Sequence, residues 1–381
     1  MNIELAAITP GAVRPGTVRI VVLPGDGIGP EVTDQAVQCL KLISDGCALD
    51  FSFEEHDFGG VAIDAHGIAL PESTLRACRD ADAIFLGAIG GPQWDSCAER
   101  PEAGLLALRM SLGLFANVRP ARVIPGLEDF SPLKSMIAAG ADVLVVRELT
   151  GGIYFGEKNH GEEAASDLCS YSKAEIERIA HVAFRAARSR SGRLTSVDKA
   201  NVLATSRLWR STVNSVSAFY PDVVLDHLYV DAAAMALVTS PTRFDVILTE
   251  NMFGDILSDV LSVISGSIGL LGSSSSGNGG PSLFEPIHGS APDLAGKDQA
   301  NPAGAIASAA MLLDALGHSV QAEMLGNALE QALREGCRTA DLGGEYGCTA
   351  FGARVRQILE KSIAWQASMQ DIFRSNRGCC G

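Results

Sequence analysis

Strand-like and helix-like segments alternate along this chain, and this alternation limits the possible folds more than any other feature. Apolar runs at 19–23 and 143–146 predict buried strands, and the first leads into a helical pattern over about 31–42. Further along, Ser172 and Glu175 form a capping box ahead of another helix. Strands that alternate with helices favour an α/β fold with a largely parallel sheet.

Charged residues come after four of the predicted strands. Some stand directly at the strand end, and others stand in the helix that follows. These strands are 143–146, 194–197, 223–230 and 244–249, and the charged residues are Arg147, Lys199, Asp231, Asp255 and Asp259. In open α/β sheets, ligands bind outside the carboxyl ends of the strands. Ordinary surface charges would explain each residue alone but not the repeated placement, which therefore predicts a functional site.

Length and charge limit the classes of partner. The chain has 381 residues, which is long for one core and predicts two lobes. Its net charge of −15 argues against nucleic acid or an anionic membrane as the main partner. No apolar run approaches the length needed to span a membrane. An anionic substrate would require positive charge to be concentrated locally in its site.

The cysteines and the N-terminal residues favour a cytoplasmic location. The nine cysteines have neither CxxC nor Cys/His zinc spacing, so we expect reduced thiols. Cys379 and Cys380 lie in a polar tail and are interpreted as exposed thiols rather than a redox site. Residues 1–16 lack the basic and apolar regions of a secretory signal.

The segment from Gly25 to Pro30 nearly matches the GxGxxG fingerprint of dinucleotide-binding domains, because it follows a strand and opens a helix. However, Pro30 replaces the third glycine and suits a first helical position. Asp26 and Glu31 would also place negative charge where a pyrophosphate should bind. We therefore predict a tight strand-to-helix turn at the edge of a nucleotide site, not a Rossmann phosphate loop.

Two later segments are predicted to be loops. Residues 272–280 are rich in glycine and serine, which predicts a mobile surface loop. In residues 285–293, glycine and proline fix a loop that offers backbone groups, a histidine and an acid. An ordinary turn with a capping aspartate explains the second pattern equally well.

Three arginines are candidates for binding a dicarboxylate. Guanidinium groups bind carboxylates bidentately, and a ligand with two carboxylates needs several of them. Any one of these arginines, taken alone, is more often a surface or ion-pair residue. The candidates are Arg109, Arg119 and Arg147.

Two aspartates and two proton-transfer candidates complete the predicted site. Asp255 and Asp259 lie four residues apart on one predicted helical face, and such oxygen ligands suit Mg²⁺ or Mn²⁺. A solvated helix face is an equal alternative. Tyr154 and Lys199 could donate or accept a proton if their pKa values are adjusted by neighbours.

Several segments together resemble the β-decarboxylating dehydrogenases, a family that includes isopropylmalate, isocitrate, homoisocitrate, tartrate and D-malate dehydrogenases. The resemblance runs from about residue 19 to residue 358. Its segments are Leu23–Glu31, Leu114–Pro120, Val146–Gly156, Val197–Val202, Glu250–Asp259, Glu285–Pro302 and Asp341–Gly344. It implies an α/β, two-lobed isocitrate/isopropylmalate dehydrogenase-like fold rather than a standard Rossmann domain. Residues 1–114 with 267–381 would form the nucleotide-binding lobe, and residues 115–266 the substrate, metal and dimerisation lobe.

The resemblance also implies roles for individual residues. The carboxylate-binding residues would be Arg109, Arg119 and Arg147. The catalytic residues would be Tyr154, which protonates the product enolate, and Lys199 with Asp231, which the second subunit of a homodimer supplies. The metal ligands would be Asp231, Asp255 and Asp259. The NAD-binding residues would be Ile28, Asn201, Glu285, His288, Gly289, Ser290, Ala291, Asp293, Asn301 and Asp341.

Two features of the resemblance narrow the substrate and the cofactor. The segment before Arg109 is similar to that of isopropylmalate enzymes, in which Leu105 and Leu106 would form an apolar wall for a branched alkyl group and Glu102 would lie near the nicotinamide. Asp293 is similar to the NAD pattern, because an acid can bind the ribose 2′-hydroxyl and would repel a 2′-phosphate.

The implied reaction is an NAD-dependent oxidative decarboxylation that requires Mg²⁺ or Mn²⁺ and belongs to leucine biosynthesis. The expected substrate is (2R,3S)-3-isopropylmalate, and the products are 4-methyl-2-oxopentanoate and CO₂. Two alternatives remain open. The same chemistry could act on another alkyl-substituted malate or on D-malate, or the chain could be an inactive nucleotide-binding paralogue.

Overall fold

The computed structural model describes residues 16–377, in which a ten-stranded mixed sheet is covered by helices. The strands are β1 (Val18–Gly25), β2 (Phe51–Glu55), β3 (Ala83–Ala88), β4 (Ala116–Arg122), β5 (Asp142–Glu148), β6 (Lys158–His160), β7 (Ala165–Asp167), β8 (Arg193–Asp198), β9 (Val224–Tyr229), β10 (Val246–Thr249), β11 (Gly272–Ser276) and β12 (Ser282–Pro286). The sheet order is β2-β1-β3-β12-β11-β4-β5-β10-β8-β9, and β6 and β7 form a separate hairpin.

The α-helices alternate with these strands, as the sequence predicts for an α/β fold. They are α1 (Gly29–Gly46), α2 (Gly60–His66), α3 (Glu72–Asp80), α4 (Pro101–Ser111), α5 (Ser135–Ala138), α6 (Lys173–Ser189), α7 (Ala204–Ser217), α8 (Val230–Thr239), α9 (Asn251–Ile264), α10 (Ala303–Ala315), α11 (Ser319–Arg334) and α12 (Cys348–Arg377). The capping box is confirmed: Ser172 Oγ accepts the Glu175 amide at 3.2 Å, and the Glu175 side chain accepts the Ser172 amide at 2.7 Å. None of the helices within 16–377 is long and apolar enough to cross a membrane.

The sheet consists of two parallel halves that run in opposite directions. Strands β2, β1, β3 and β12 are mutually parallel, and so are β5, β10, β8 and β9. Antiparallel pairings of β11 with β12 and β4, and of β4 with β5, join the halves. The expectation of a parallel sheet therefore holds within each half. The predicted lobe boundaries, which stay a prediction, would divide this sheet between β11 and β4.

The core lies where helices cover the central strands. Every residue of β3 and β10 is buried, which fits a parallel strand covered on both faces. Helices α1, α10, α11 and α12 pack together over one half, and α6 packs with α7 near β8 and β10 in the other half. The seven cysteines among residues 16–377 are free, as expected for reduced thiols. Cys379, Cys380 and residues 1–15 lie outside the described residues.

The prediction of a mobile surface loop at 272–280 is wrong for its first five residues. They form β11, which is buried throughout and paired on both sides in the centre of the sheet. Small side chains permit this position, since a Cβ on Gly272 would lie 2.6 Å from Ser308 Oγ. Asn117 Nδ2 donates to Ser274 O at 3.1 Å and thereby ties β11 to β4. The glycine- and serine-rich composition therefore belongs here to a closely packed strand. Residues 277–280 form the connection from β11 to β12.

The turn after β1 is a packing turn, as predicted. Gly25 and Gly27 have φ values of +73° and +58°, and a Cβ on Gly27 would lie 2.0 Å from Ser290 O. The Asp26 carboxylate accepts the backbone amides of Gly60, Val61 and Gly90, each at 2.8 Å. Asp26 thus anchors two neighbouring loops where a Rossmann turn would bind phosphate.

Candidate active site

A cleft between the two halves of the sheet collects most of the predicted substrate residues. It is bordered by β3, α4 and β12 on one side and by β4, β5 and α9 on the other. The predicted site residues that line it are Glu102, Leu105, Leu106, Arg109, Arg119, Arg147, Tyr154, Asp255, Glu285, His288 and Gly289. A second, more enclosed cavity beside Arg122 and Glu330 contains none of the predicted site residues.

The three predicted carboxylate-binding arginines come from three different elements and are all buried in this cleft. Arg109 lies in the last turn of α4, Arg119 in the middle of β4, and Arg147 near the carboxyl end of β5. Burial lowers the pKa of Arg119, and it lowers the pKa of Arg147 to about 10. Because a guanidinium with a pKa of about 10 is still charged at neutral pH, Arg147 keeps positive charge in the cleft of an acidic chain.

Two asparagines that the sequence analysis did not single out orient these arginines. Arg119 Nε donates to Asn117 Oδ1 at 2.7 Å, and its Nη1 donates to Ser258 Oγ at 2.7 Å. Arg147 donates from Nε and Nη2 to Asn251 Oδ1 at 3.1 and 2.8 Å. The only signal in the sequence is that each asparagine lies in the strand or helix that carries a predicted site residue.

The two predicted metal aspartates lie on one face of α9, as their spacing predicts. Asp255 Oδ1 accepts Arg147 Nη1 at 2.5 Å and lies 3.4 Å from Arg119 Nη1, and Asp259 Oδ1 lies 3.9 Å from that same Arg119 nitrogen. Gly254 leaves room for this approach, since a Cβ there would lie 2.6 Å from Arg147 Cγ.

The surroundings of these aspartates change their acidity in opposite directions. Burial tends to raise the pKa of Asp255, but the charges of Arg147 and Arg119 bring it below its usual value. Burial raises the pKa of Asp259, and Arg119 compensates only in part. At neutral pH Asp255 is thus firmly ionised and supplies hard oxygen ligands on the cleft wall.

Tyr154 occupies a short 3₁₀ turn after β5, directly beside Asp255. Its hydroxyl donates to Asp255 Oδ2 at 3.0 Å. Burial, reinforced by the negative charge of Asp255, raises the pKa of Tyr154 to about 12. The phenol is therefore protonated over the physiological range, as a proton donor must be.

The predicted alkyl-binding wall lies in the same cleft as the arginines. Leu105 and Leu106 are half-buried on α4 and line the cleft one turn before Arg109. Arg109 Nη2 in turn forms an ion pair with Glu285 Oε1 at 2.7 Å. Glu102 lies at the entrance, close to Gly90, where a Cβ would approach its Oε1 to 2.7 Å. The cleft thus combines an apolar wall with a strongly cationic floor.

An adjoining pocket contains most of the predicted nucleotide residues. It is lined by Ile28, His288, Gly289, Ala291, Asn301 and Asp341, together with Ser267 to Gly269. His288 Nδ1 lies 2.9 Å from Gly289 O and must carry the proton, because a carbonyl can only accept. Burial lowers the pKa of His288, so the ring is neutral and its Nε2 is an acceptor. That buried Nε2 has no partner among the described residues.

Three predicted cofactor residues do not line either pocket. Ser290 is buried, and its carbonyl accepts the Ile28 amide at 2.8 Å, so it shapes the pocket rather than facing it. Asp293 is exposed in the 292–294 turn beside the nucleotide pocket. Asn201 is exposed after β8, away from both pockets.

Lys199 and Asp231 meet each other but not this cleft. Lys199 follows β8 and Asp231 begins α8 after β9, and their Nζ and Oδ1 atoms lie 2.8 Å apart. Asp231 is exposed and Lys199 is half-buried, and the hydrogen bond from Lys199 lowers the pKa of Asp231. Strand β8 is two positions from β5, or about 10 Å at the usual strand spacing. Within one chain, the predicted base and third metal ligand are therefore separate from the other site residues.

Comparison with known proteins decides the family. The model of the isocitrate/isopropylmalate dehydrogenase family matches residues 19–355. The chain belongs to this family. The predicted resemblance and the predicted fold class are thereby confirmed.

Individual relatives agree with this assignment. The chain is 54% identical over 332 residues to a 3-isopropylmalate dehydrogenase of Staphylococcus haemolyticus, covering 87% of this chain and 96% of that one. It is equally identical over 335 residues to that of Staphylococcus aureus, again covering 87% and 96%.

Solved structures of family members also match. An isocitrate dehydrogenase from Methylococcus capsulatus has a TM-score of 0.82 at 32% identity, covering 90% of this chain and 99% of that one. A beta-decarboxylating dehydrogenase from Thermococcus kodakarensis has a TM-score of 0.74 at 37% identity, covering 91% and 97%.

Proposed function

We propose that this family member oxidatively decarboxylates (2R,3S)-3-isopropylmalate with NAD and a divalent metal, giving 4-methyl-2-oxopentanoate and CO₂ in leucine biosynthesis. The observation that carries the proposal is one cleft that is lined both by Leu105 and Leu106 and by three buried arginines. The substrate has the matching chemistry, with two carboxylates and one branched alkyl group. Relatives that are named for this reaction share 54% identity over most of the chain.

A divalent cation fits the oxygen donors of the cleft. Asp255 and Asp259 offer hard carboxylate oxygens from adjacent turns of α9, which suits Mg²⁺ or Mn²⁺ with water and substrate as further ligands. When bound, the metal supplies Lewis-acid chemistry at the substrate hydroxyl and stabilises negative charge during decarboxylation. Asp231 would be the third ligand, supplied by a second subunit.

NAD fits the adjoining pocket. The unpartnered His288 Nε2 can accept from the adenosine, and Asn301 Nδ2 donates to Asp341 at 2.9 Å, which fixes both residues at the pocket wall. Asp293, exposed at the rim, would bind the ribose 2′-hydroxyl and disfavour NADP. When bound, NAD supplies the hydride acceptor. Glu285, Glu102 and Asn201 would lie on the nicotinamide side.

The protein groups then orient the substrate and move its protons. Arg109, Arg119 and Arg147 bind the two carboxylates. The partner's Lys199 would pass a proton to Asp231 and take the hydroxyl proton in its place, while the carbon bound to that oxygen gives up its hydride to NAD. The carboxylate β to the new carbonyl leaves as CO₂, and its bonding electrons form an enolate. Tyr154 donates its proton to the enolate carbon, which completes the product.

A homodimer is part of this proposal. The Lys199–Asp231 pair lies on the surface, and so do large apolar side chains of α8 and α9 in the same half of the sheet. Met235, Val238, Ile256 and Val263 are between 43% and 65% exposed. Several exposed large apolar side chains on two helices in contact are typical of a protein interface. A symmetric dimer through α8 and α9 would cover it and bring each Lys199 towards the partner's cleft.

The assay that tests the function follows NADH formation with purified protein. We expect Mg²⁺- or Mn²⁺-dependent turnover that prefers 3-isopropylmalate over isocitrate, D-malate and a longer alkylmalate, and NAD over NADP. A preference for D-malate would retain the mechanism but contradict the role of Leu105 and Leu106. No turnover of any of the four by a folded protein would favour the inactive paralogue. The cytoplasmic location and the lobe boundaries at residues 114/115 and 266/267 remain part of the proposal.

A further inference from the structure

Asn251, the first residue of α9, connects two parts of the candidate site. Its Oδ1 accepts two bonds from Arg147, and its Nδ2 donates to Leu149 O at 3.1 Å and to Gly151 O at 3.2 Å. The side chain is 1% exposed, and all its hydrogen-bonding atoms are used. The carbonyls that it binds begin the turn that carries Tyr154.

The two edges of the Arg147 guanidinium have different partners. The edge formed by Nε and Nη2 faces the neutral amide of Asn251, while Nη1 faces Asp255 in the cleft. A carboxylate in the place of the amide would accept the same two bonds with a better electrostatic match. It would also neutralise the guanidinium from behind and reduce its attraction for an anion in the cleft.

Arg119 is held by the same kind of group. Its Nε donates to Asn117 Oδ1, and Asn117 Nδ2 donates to Ser274 O and Ser275 Oγ, each at 3.1 Å. Asn117 is fully buried. Two buried arginines thus each rest on a buried amide whose remaining donors are tied to backbone or to a hydroxyl.

We propose that Asn251 and Asn117 are positioning residues that fix the guanidinium groups of Arg147 and Arg119 while leaving their positive charge available to a substrate carboxylate. The inference rests on the proposed function, because it takes these arginines as the carboxylate-binding groups. It assigns no contact between either asparagine and the substrate.

The test compares Asn251→Asp with Asn251→Ala, because only the first places a negative charge against Arg147. Asn251→Asp keeps both acceptor contacts with Arg147, but its other oxygen faces the carbonyls of Leu149 and Gly151, which cannot donate to it. Asn251→Ala removes all four hydrogen bonds and adds no charge, so we expect both variants to melt below the wild type. The substrate KM should rise about 10- to 100-fold in Asn251→Asp, on the scale of a charged hydrogen bond, and less in Asn251→Ala.

The KM for NAD is the internal control, and it should stay within about threefold of the wild-type value in both variants. Asn117→Asp and Asn117→Ala repeat the comparison at Arg119. If the alanine variants raise the substrate KM as much as the aspartate variants or more, the asparagines are structural and the proposal is overturned. An equal rise in both KM values would overturn it as well.

Wild-type turnover, measured first, separates this proposal from the proposed function. If the wild type acts on D-malate instead, the comparison is run with D-malate, since both substrates carry the two carboxylates. If the wild type turns over none of the substrates, the proposed function fails. The same variants are then compared by protection from thermal unfolding with malate, whose carboxylates the two arginines should still bind. Loss of that protection in Asn251→Asp but not in Asn251→Ala would support the inference, and equal protection would overturn it.

Discussion

If each active site combines the cleft of one chain with Lys199 of another, two inactive variants should restore activity when they share a dimer. The suitable pair is Tyr154→Phe, which damages the cleft, and Lys199→Ala, which damages the surface ion pair. We expect each variant alone to lose about 10²–10⁴ in turnover, the usual contribution of a general acid or base. Both should fold normally, since the Tyr154 hydroxyl makes one hydrogen bond at the cleft and Asp231, the partner that Lys199 would lose, is exposed.

The recovered activity follows from counting sites. Random reassociation of equal amounts makes half of the dimers hybrid. In each hybrid, one site has Tyr154 from one chain and Lys199 from the other, and the second site lacks both. About one quarter of all sites are therefore intact, so the mixture should reach about 25% of wild-type turnover.

The assay is NADH formation after the two variants are unfolded, mixed and refolded together. A mixture of separately refolded variants is the control, because it has the same composition without hybrids. If Lys199 served its own cleft, the hybrid would contain two damaged sites and the mixture would stay at the level of the separate variants. That result would refute the shared site, as would full activity of a monomer.

Other perturbations test the remaining assignments. Leu105→Ala with Leu106→Ala should reduce the kcat/KM preference for 3-isopropylmalate over D-malate by about 10- to 100-fold, because the apolar wall is lost; an unchanged ratio would contradict the wall. Chelation with EDTA should abolish turnover, and added Mg²⁺ or Mn²⁺ should restore it. The Asp259→Asn variant should need at least a tenfold higher metal concentration to reach half of its maximal rate. Because the pKa of Tyr154 is raised to about 12, its proton is retained as pH rises. The pH profile of kcat should therefore show no loss from this tyrosine between about pH 7 and 10, and a Tyr154-dependent loss in that range would contradict the assignment.

The sequence predicted the elements of the fold better than their arrangement. Strand ends and the Ser172 capping box follow from local patterns, which depend on nearby residues only. The mixed direction of the sheet does not, because it depends on which distant strands become neighbours. β11 shows the difference: its glycine and serines have low strand propensity, yet pairing with β12 and β4 on both sides and tight packing against α10 outweigh that preference.

The candidate site could be predicted as a set of residues but not as two separate groups. Arg147, Lys199, Asp231 and Asp255 all lie at or after the carboxyl ends of strands of one parallel set, and their positions along the chain suggest a single edge. The order β5-β10-β8-β9 places Lys199 and Asp231 at the far end of that edge, where they pair with each other. Strand order is a property of the folded sheet, so the separation within one chain could not be read from spacing.

The placement of neutral and acidic partners explains how a chain with a net charge of −15 can bind a dianion. Two of the acids that contact the arginines, Glu285 and Asp255, line the cleft, where a ligand can compete with them, and Asp259 follows Asp255 one turn further along α9. Behind Arg119 and Arg147 the partners are neutral: two asparagines and a serine hydroxyl. Neutral acceptors satisfy the buried N–H groups, whose desolvation would otherwise be costly, without cancelling the charge. The positive field is therefore directed into the cleft, although the rest of the chain is acidic.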